Sequence, residues 1–331
     1  MYKSLQDSQG HVDTSANFAS RASLGAATFA CLVALTSCGS GDDDGSNQSG
    51  AIDSGNLPVV DGGMATGRCK DENAKKIFVV TTDLSDKPYE SHLFRFDPTD
   101  VSYTHIGELD CPGVLLRTMA VDRDGDGWGS MGDGSLVRIN TETANCTDSG
   151  MEIEQHSISR YGMGYATLDE TESEKLYITA TGSDWSGQAN QPYRKLAAIN
   201  TETLLIDLIG DLEAPVPANM ELTGTGDGRL FGMILDVRNL SNIIVSVDEL
   251  NADTAETISS KTVPLDANSG FAFAHWGGDF WLFTEADDGK ARVAQFDFDT
   301  GAIVQTVDTN LEVAGSIVGA GVSTCAPIRI D

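Results

Sequence analysis

From residue 69 to 331 the chain alternates short runs rich in Val, Ile, Phe and Thr with Asp-Gly and Gly-Gly turns, and no long helical period appears. Strand-length apolar runs with this punctuation predict an all-β domain. Three columns recur through it. The first is an aromatic residue in a short apolar strand: Phe78 (KIFVV), Trp128 (DGWGSM), Tyr177 (KLYITA), Phe231 (RLFGMI) and Trp281 (DFWLFT), at separations of 50, 49, 54 and 50. The second is an apolar residue followed by Asp or Asn where a later strand ends: Phe96-Asp97, Ile139-Asn140, Ile199-Asn200, Val247-Asp248 and Phe296-Asp297. Asx residues at such places satisfy the backbone donors of a turn. The third is a run of small residues before each aromatic strand: Met119-Ala120-Val121, Met163-Gly164-Tyr165, Glu221-Leu222-Thr223 and Ala272-Phe273-Ala274.

Phe78 has no such run before it, and the missing copy stands at the other end, as Gly319-Ala320-Gly321-Val322-Ser323. A period near 50 with three columns predicts a five-bladed β-propeller of four-stranded blades, with the C-terminal strand completing blade 1. Small residues belong on the innermost strand, where blades converge. Six blades stay open if a weak unit lies between Tyr177 and Phe231. Closure of this kind leaves no sheet edge exposed at the junction.

The first 37 residues read differently. Leu24 to Leu35 is apolar but too short to span a bilayer, Arg21 precedes it, and small residues follow. This predicts a secretory signal peptide over 1–37. The Leu35-Thr36-Ser37-Cys38 run resembles the bacterial lipobox, which implies cleavage before Cys38 and attachment of acyl chains of the palmitate type. Several chains make a stable anchor where one is marginal. Residues 39–63 are rich in Gly, Ser and Asp and lack the apolar surface needed to fold. Residues 38–68 are therefore the lipidated cysteine and an acidic tether, and 69–331 the propeller domain. Gly39 in place of Asp favours the outer membrane of the cell envelope.

Charge narrows the partners. With 21 Lys and Arg against 50 Asp and Glu, the formal charge is −29, and residues 1–37 contribute none of it. Such a surface repels nucleic acid and anionic lipid and attracts cations. Cys31 leaves with the signal and Cys38 takes lipid, so Cys69, Cys111, Cys146 and Cys325 remain. An even number in an oxidising compartment predicts two disulfides, and three connectivities are open. Ring closure selects Cys69 with Cys325 and Cys111 with Cys146, the latter two following the outer strands of blades 1 and 2. No CxxC pair points to zinc.

Four motifs, MAVDRDGDGW (119–128), ELTGTGDGRLFG (221–232), AHWGGDFWLFT (274–284) and VGAGVSTCAP (318–327), resemble an uncharacterised family of bacterial lipoproteins with propeller domains. The resemblance covers about Cys111 to Pro327. It implies the propeller fold and the anchor, and brings no activity with it.

Candidate chemistry is sparse. Asp122, Asp124 and Asp126 have the DxDxDG spacing of a calcium loop, with Ser130 at its ninth position and Asp133 at its twelfth. The competing reading is a polar hairpin turn. His275, Trp276 and Asp279 form a polar-aromatic cluster suited to lining a channel mouth and stacking on a sugar or peptide. Glu221 is the carboxylate that the repeat places near the axis. Glycosidases need two such groups facing one sugar, and GxSxG, HExxH and P-loop motifs do not occur. The leading expectation is a membrane-anchored binding module for a protein or glycan. The alternatives are a channel-metal hydrolase or lactonase, and an envelope structural protein without a small ligand.

Overall fold

The computed structural model describes residues 69, 72–83, 89–112, 115–151, 160–168, 173–182, 193–213, 218–236, 243–265, 271–285, 291–309, 311 and 315–330. The expected signal peptide (1–37), the expected lipid-bearing Cys38 and the expected tether (38–68) lie outside them. Among the described residues twenty strands form five four-stranded antiparallel sheets. Blade 1 holds β1 (Ile77–Asp83), β2 (Glu90–Asp97) and β3 (Ser102–Glu108). Blade 2 follows with β4 (Leu116–Val121), β5 (Asp126–Met131), β6 (Leu136–Asn140) and β7 (Cys146–Asp148). Blade 3 comprises β8 (Arg160–Thr167), β9 (Glu174–Gly182), β10 (Tyr193–Ile199) and β11 (Ile206–Asp211). Blade 4 comprises β12 (Ala218–Gly224), β13 (Leu230–Asp236), β14 (Ile244–Leu250) and β15 (Thr257–Val263). Blade 5 comprises β16 (Phe271–Trp276), β17 (Asp279–Glu285), β18 (Ala291–Asp297) and β19 (Ala302–Asp308).

The last strand, β20 (Ser316–Val322), pairs antiparallel with β1, setting Ile77 opposite Val322 and Phe78 opposite Gly321. Blade 1 is thus completed by the end of the chain. The inner strands β4, β8, β12, β16 and β20 touch in sequence and close a ring. This is a five-bladed β-propeller. Among the described residues only β10, β11 and β12 stand between the strands of Tyr177 and Phe231, and the five closed sheets take the place of the six-bladed alternative.

The columns of the repeat become registers. Phe78, Trp128, Tyr177, Phe231 and Trp281 sit on the second strand of each blade, opposite Gly321, Ala120, Gly164, Thr223 and Ala274 of the inner strands. Small residues are needed there because neighbouring inner strands nearly touch. A Cβ added at Gly162 would lie 2.2 Å from the Met220 carbonyl oxygen, and one at Gly164 2.7 Å from that of Leu222. Large side chains go outward, and the apolar residues form five clusters, one at each interface between adjacent blades. Phe96 of blade 1, for example, packs edge-on against Phe283 of blade 5 at 5.1 Å and beside Trp281 at 5.3 Å. Aromatic pairs of this geometry add about 0.5–1.5 kcal/mol beyond their burial.

The turn column needs one correction. Asn140, Asn200 and Asp297 each accept from two backbone N–H groups of the following turn, and Asp97 accepts from that of Thr99. In blade 4 that role belongs to Asn251, which accepts from Asp253 and Thr254. Asp248 lies inside β14, where its carboxylate receives the Ser260 hydroxyl. The register explains it: Leu250, not Val247, pairs with Leu230 as Phe296 pairs with Phe280.

Cys69 and Cys325 are disulfide-bonded, with Cα atoms 5.4 Å apart, and Cys111 and Cys146 likewise at 4.6 Å. Cys111 follows β3, as expected. Cys146 does not follow its outer strand but begins it, as the first residue of β7.

Candidate functional site

The inner strands run in one direction around the axis, so their ends define two faces. At their starts Arg117 is exposed, and Phe271 and Ser316 are half-buried. At their far ends Val121, Tyr165, Thr225, Trp276 and Thr324 are all buried. At these described positions the end of the axial channel where the inner strands start is the more exposed, and the far end is buried.

Glu221 lines this channel from β12. The equivalent registers in the other blades carry Thr118, Gly162, Ala272 and Gly319, none of them ionisable. The missing side chain at Gly162 lets Glu221 reach past blade 3 to blade 2. There the Thr118 hydroxyl donates to Glu221 Oε2 at 2.5 Å, and the Met163 backbone N–H also donates to the carboxyl. Burial nevertheless dominates and pushes the acid up to about 8, against the lowering effect of those two donors. Near neutral pH Glu221 is a protonated acid in the wall of the channel.

The buried end is polar. Arg123, in the turn between β4 and β5, is 3% exposed. Its Nε donates to the Thr324 hydroxyl at 2.7 Å, and a terminal nitrogen donates to that of Thr167 at 2.7 Å. Glu174 accepts the Arg123 backbone N–H at 2.8 Å and the Thr324 hydroxyl at 2.9 Å, with the guanidinium Nε 3.8 Å away. Burial raises Glu174 to about 7 even so. The network joins blades 1, 2 and 3 and lies beside the Cys69–Cys325 bond, and the sulfur of Cys325 approaches the Arg123 carbonyl at 3.8 Å.

The expected calcium ligands do not come together. Asp122 turns inward: its Oδ1 accepts the backbone N–H groups of Asp124 and Asp126, and its Oδ2 the Trp128 indole N–H at 3.1 Å. Asp126 pairs with Arg138 at 3.3 Å. Ser130 lies four residues further along β5, roughly 13 Å away at strand rise, and is buried against the Tyr161 carbonyl. Asp133 belongs to the turn beyond that strand, held by Ser135. An extended strand separates the two ends of the motif, and among the described residues no group of three His, Cys, Asp or Glu is placed to hold a metal.

The aromatic cluster is packing. Trp276 is buried with its indole N–H donating to the Lys75 carbonyl at 2.9 Å, and His275 is buried edge-on against Phe280 at 5.3 Å. Burial holds His275 down at about 4, so it is neutral. Asp279 accepts the Gln295 amide at 2.6 Å. Of the four residues expected to bind ligand, Glu221 alone lines the channel.

Sequence reading missed Thr118 and the Arg123 network. Arg123 is the one basic residue within its acidic run, a hint of an internal counter-ion. Its partners stand 44, 51 and 201 positions away, beyond any local pattern.

No family model and no curated protein matches the chain, so the lipoprotein-family resemblance gains no support from them. Among solved structures the chain is similar to a protein of unknown function from Dyadobacter fermentans DSM 18053, at 8% identity and a TM-score of 0.47, covering 73% of this chain and 81% of that one. It is also similar to the Dos1 propeller, at 11% identity and a TM-score of 0.36, covering 67% and 56%. Both likenesses are distant. The fold rests on the strand pairing of the chain itself.

Proposed function

We propose that this protein is an exported, lipid-anchored binding module of the cell envelope, whose open propeller face receives a protein or glycan partner. The observation that carries the reading is the inequality of the two faces. The closed face has a buried plug and tight Asx turns. The opposite face surrounds the channel mouth, where Arg117 is exposed, and carries the described turn between β5 and β6. Recognition favours loops set on a rigid frame. Among the described residues Glu221 is the one carboxyl in its ring of inner-strand registers, where it offers a hydrogen-bond donor to a polar ligand group, whereas sugar hydrolysis needs two opposed carboxyls. Anchoring through Cys38 at the outer membrane, with 38–68 as tether, would hold the disc clear of the bilayer.

The test is a thermal-shift screen of the tagless chain with envelope glycans and with calcium or EDTA, followed by variants of each face. Stabilisation by a glycan that Arg117→Glu weakens and a closed-face change such as Glu202→Lys does not is the expected result. Equal loss from both faces, or no stabilisation by any glycan and no partner captured by crosslinking at the open face, would overturn it. Cys38→Ser is expected to release the protein from membranes into the soluble envelope fraction.

A further inference from the structure

We propose that His92 and His105, on the outer half of blade 1, form a two-histidine site for a divalent transition-metal ion such as zinc. His92 lies in β2 and His105 in β3, and a bulge between Leu93 and Phe94 shifts the register so that His105 faces Phe94 and leans diagonally toward His92. His92 Nδ1 and His105 Nε2 are 3.3 Å apart, and the ring centroids 5.3 Å apart. Two imidazoles bound tetrahedrally to one ion at about 2.05 Å bring their nitrogens to about 3.3–3.4 Å and their ring centres to about 5.2 Å. Both separations match those of the pair in the structure.

Three features around the pair suit it to this role. Phe94 packs against His105 with centroids 5.0 Å apart, which fixes the ring. Glu108 stands directly opposite His92 in the register, and residues so paired project from the same sheet face, but it does not complete a group of three as placed, so the site is a histidine pair whose remaining positions fall to water or to a carboxylate that must move. His105 also lines a groove of about 530 Å³ with Phe94, Tyr103, Val307, Asp308 and Thr309. The groove lies between the outer strands of blades 1 and 5 and leaves space for water to complete the coordination. Imidazole suits zinc, copper and nickel, while calcium prefers oxygen. This site is independent of the channel and of its proposed partner.

The same distance also fits a hydrogen bond from one neutral ring to the other, and the experiment separates the two. Zinc chloride is titrated calorimetrically into the tagless, chelator-treated chain near neutral pH. One ion bound per chain is expected, with His92→Ala and His105→Ala each weakening it by at least the tenfold that loss of an outer-shell partner produces. His92→Gln and His105→Gln, which retain a hydrogen-bonding group, should bind as poorly as the alanine variants and melt as the parent does in EDTA. Absence of zinc binding by the parent overturns the proposal, as does affinity unchanged in either single variant or in the double variant. Glu108→Gln reports whether the carboxylate participates: a further loss makes it the third ligand, and no loss assigns that position to water while the histidine pair stands.

Discussion

The hydroxyl of Thr118 on blade 2 meets the carboxyl of Glu221 on blade 4 at 2.5 Å, past a blade that contributes only Gly162 at that level. Two non-adjacent blades are therefore joined by one hydrogen bond inside the channel. Because the acid titrates at about 8 rather than 4.5, it couples the fold to pH.

The sign follows from proton counting. Below 4.5 both folded and unfolded chains hold the proton, and Glu221 carries no penalty. As pH rises from 4.5 through about 8 the unfolded chain releases the proton while the folded one keeps it, so stability falls, and above about 8 it levels off. Glu221→Gln removes this dependence. Its melting temperature should gain on the parent across that window and exceed it in alkali, each kcal/mol appearing as roughly 2–4 °C. A constant difference at every pH would refute the assignment.

Gly162→Ala tests the close approach of blades 3 and 4. The new methyl would lie 2.2 Å from the Met220 carbonyl oxygen and 2.7 Å from Glu221 Cα, both backbone atoms that cannot swing away. A loss of about 1–3 kcal/mol in urea unfolding is expected. Gly132→Ala, whose methyl would meet its nearest neighbours at 3.5 Å, should stay within about 0.5 kcal/mol of the parent.

Arg123→Ala should be the most damaging single change at the closed face. It removes the guanidinium that donates to the buried Thr324 and Thr167 hydroxyls and lies 3.8 Å from Glu174, whose carboxyl keeps the backbone N–H of residue 123 and the Thr324 hydroxyl. Hydrogen bonds to a charged group contribute about 1.5–3 kcal/mol each. Arg123→Ala combined with Glu174→Gln should lose less than the sum of the two single changes, because the guanidinium and the carboxyl each lose the same opposite charge. Denaturant unfolding of the four-member cycle measures the coupling, and strict additivity would argue against it.

The two disulfides should differ in worth. Cys69–Cys325 spans 256 positions and Cys111–Cys146 spans 35. In the chain-entropy account the longer loop contributes about 5–6 kcal/mol and the shorter about 3–4. Replacing both cysteines of each pair by alanine and comparing unfolding midpoints checks the order. A greater loss from the 111–146 pair would place the stabilisation elsewhere than in ring closure.

Much of this architecture is legible in the sequence. The aromatic at Phe78, Trp128, Tyr177, Phe231 and Trp281 marks the second strand of every blade, and the small-residue run displaced to 319–323 disclosed how the ring closes. Both cysteine pairings followed from that closure. The turn column failed in one blade: Val247-Asp248 looks like its four counterparts, but Leu250 and Asn251 occupy the position in space. A motif shared by two nearby segments cannot choose between them; the strand register can.

Sequence alone determined the period, the blade number favoured, and the joining of the two chain ends, because strand alternation and turn chemistry are written in residues a few positions apart. Only the tertiary structure decided what the charged residues do. Asp122 accepts the Trp128 indole N–H, His275 and Trp276 are buried, and Arg123 meets Glu174 and Thr324 from other blades. Those outcomes depend on groups far apart in the chain being brought within hydrogen-bond reach, and on burial that no local pattern records.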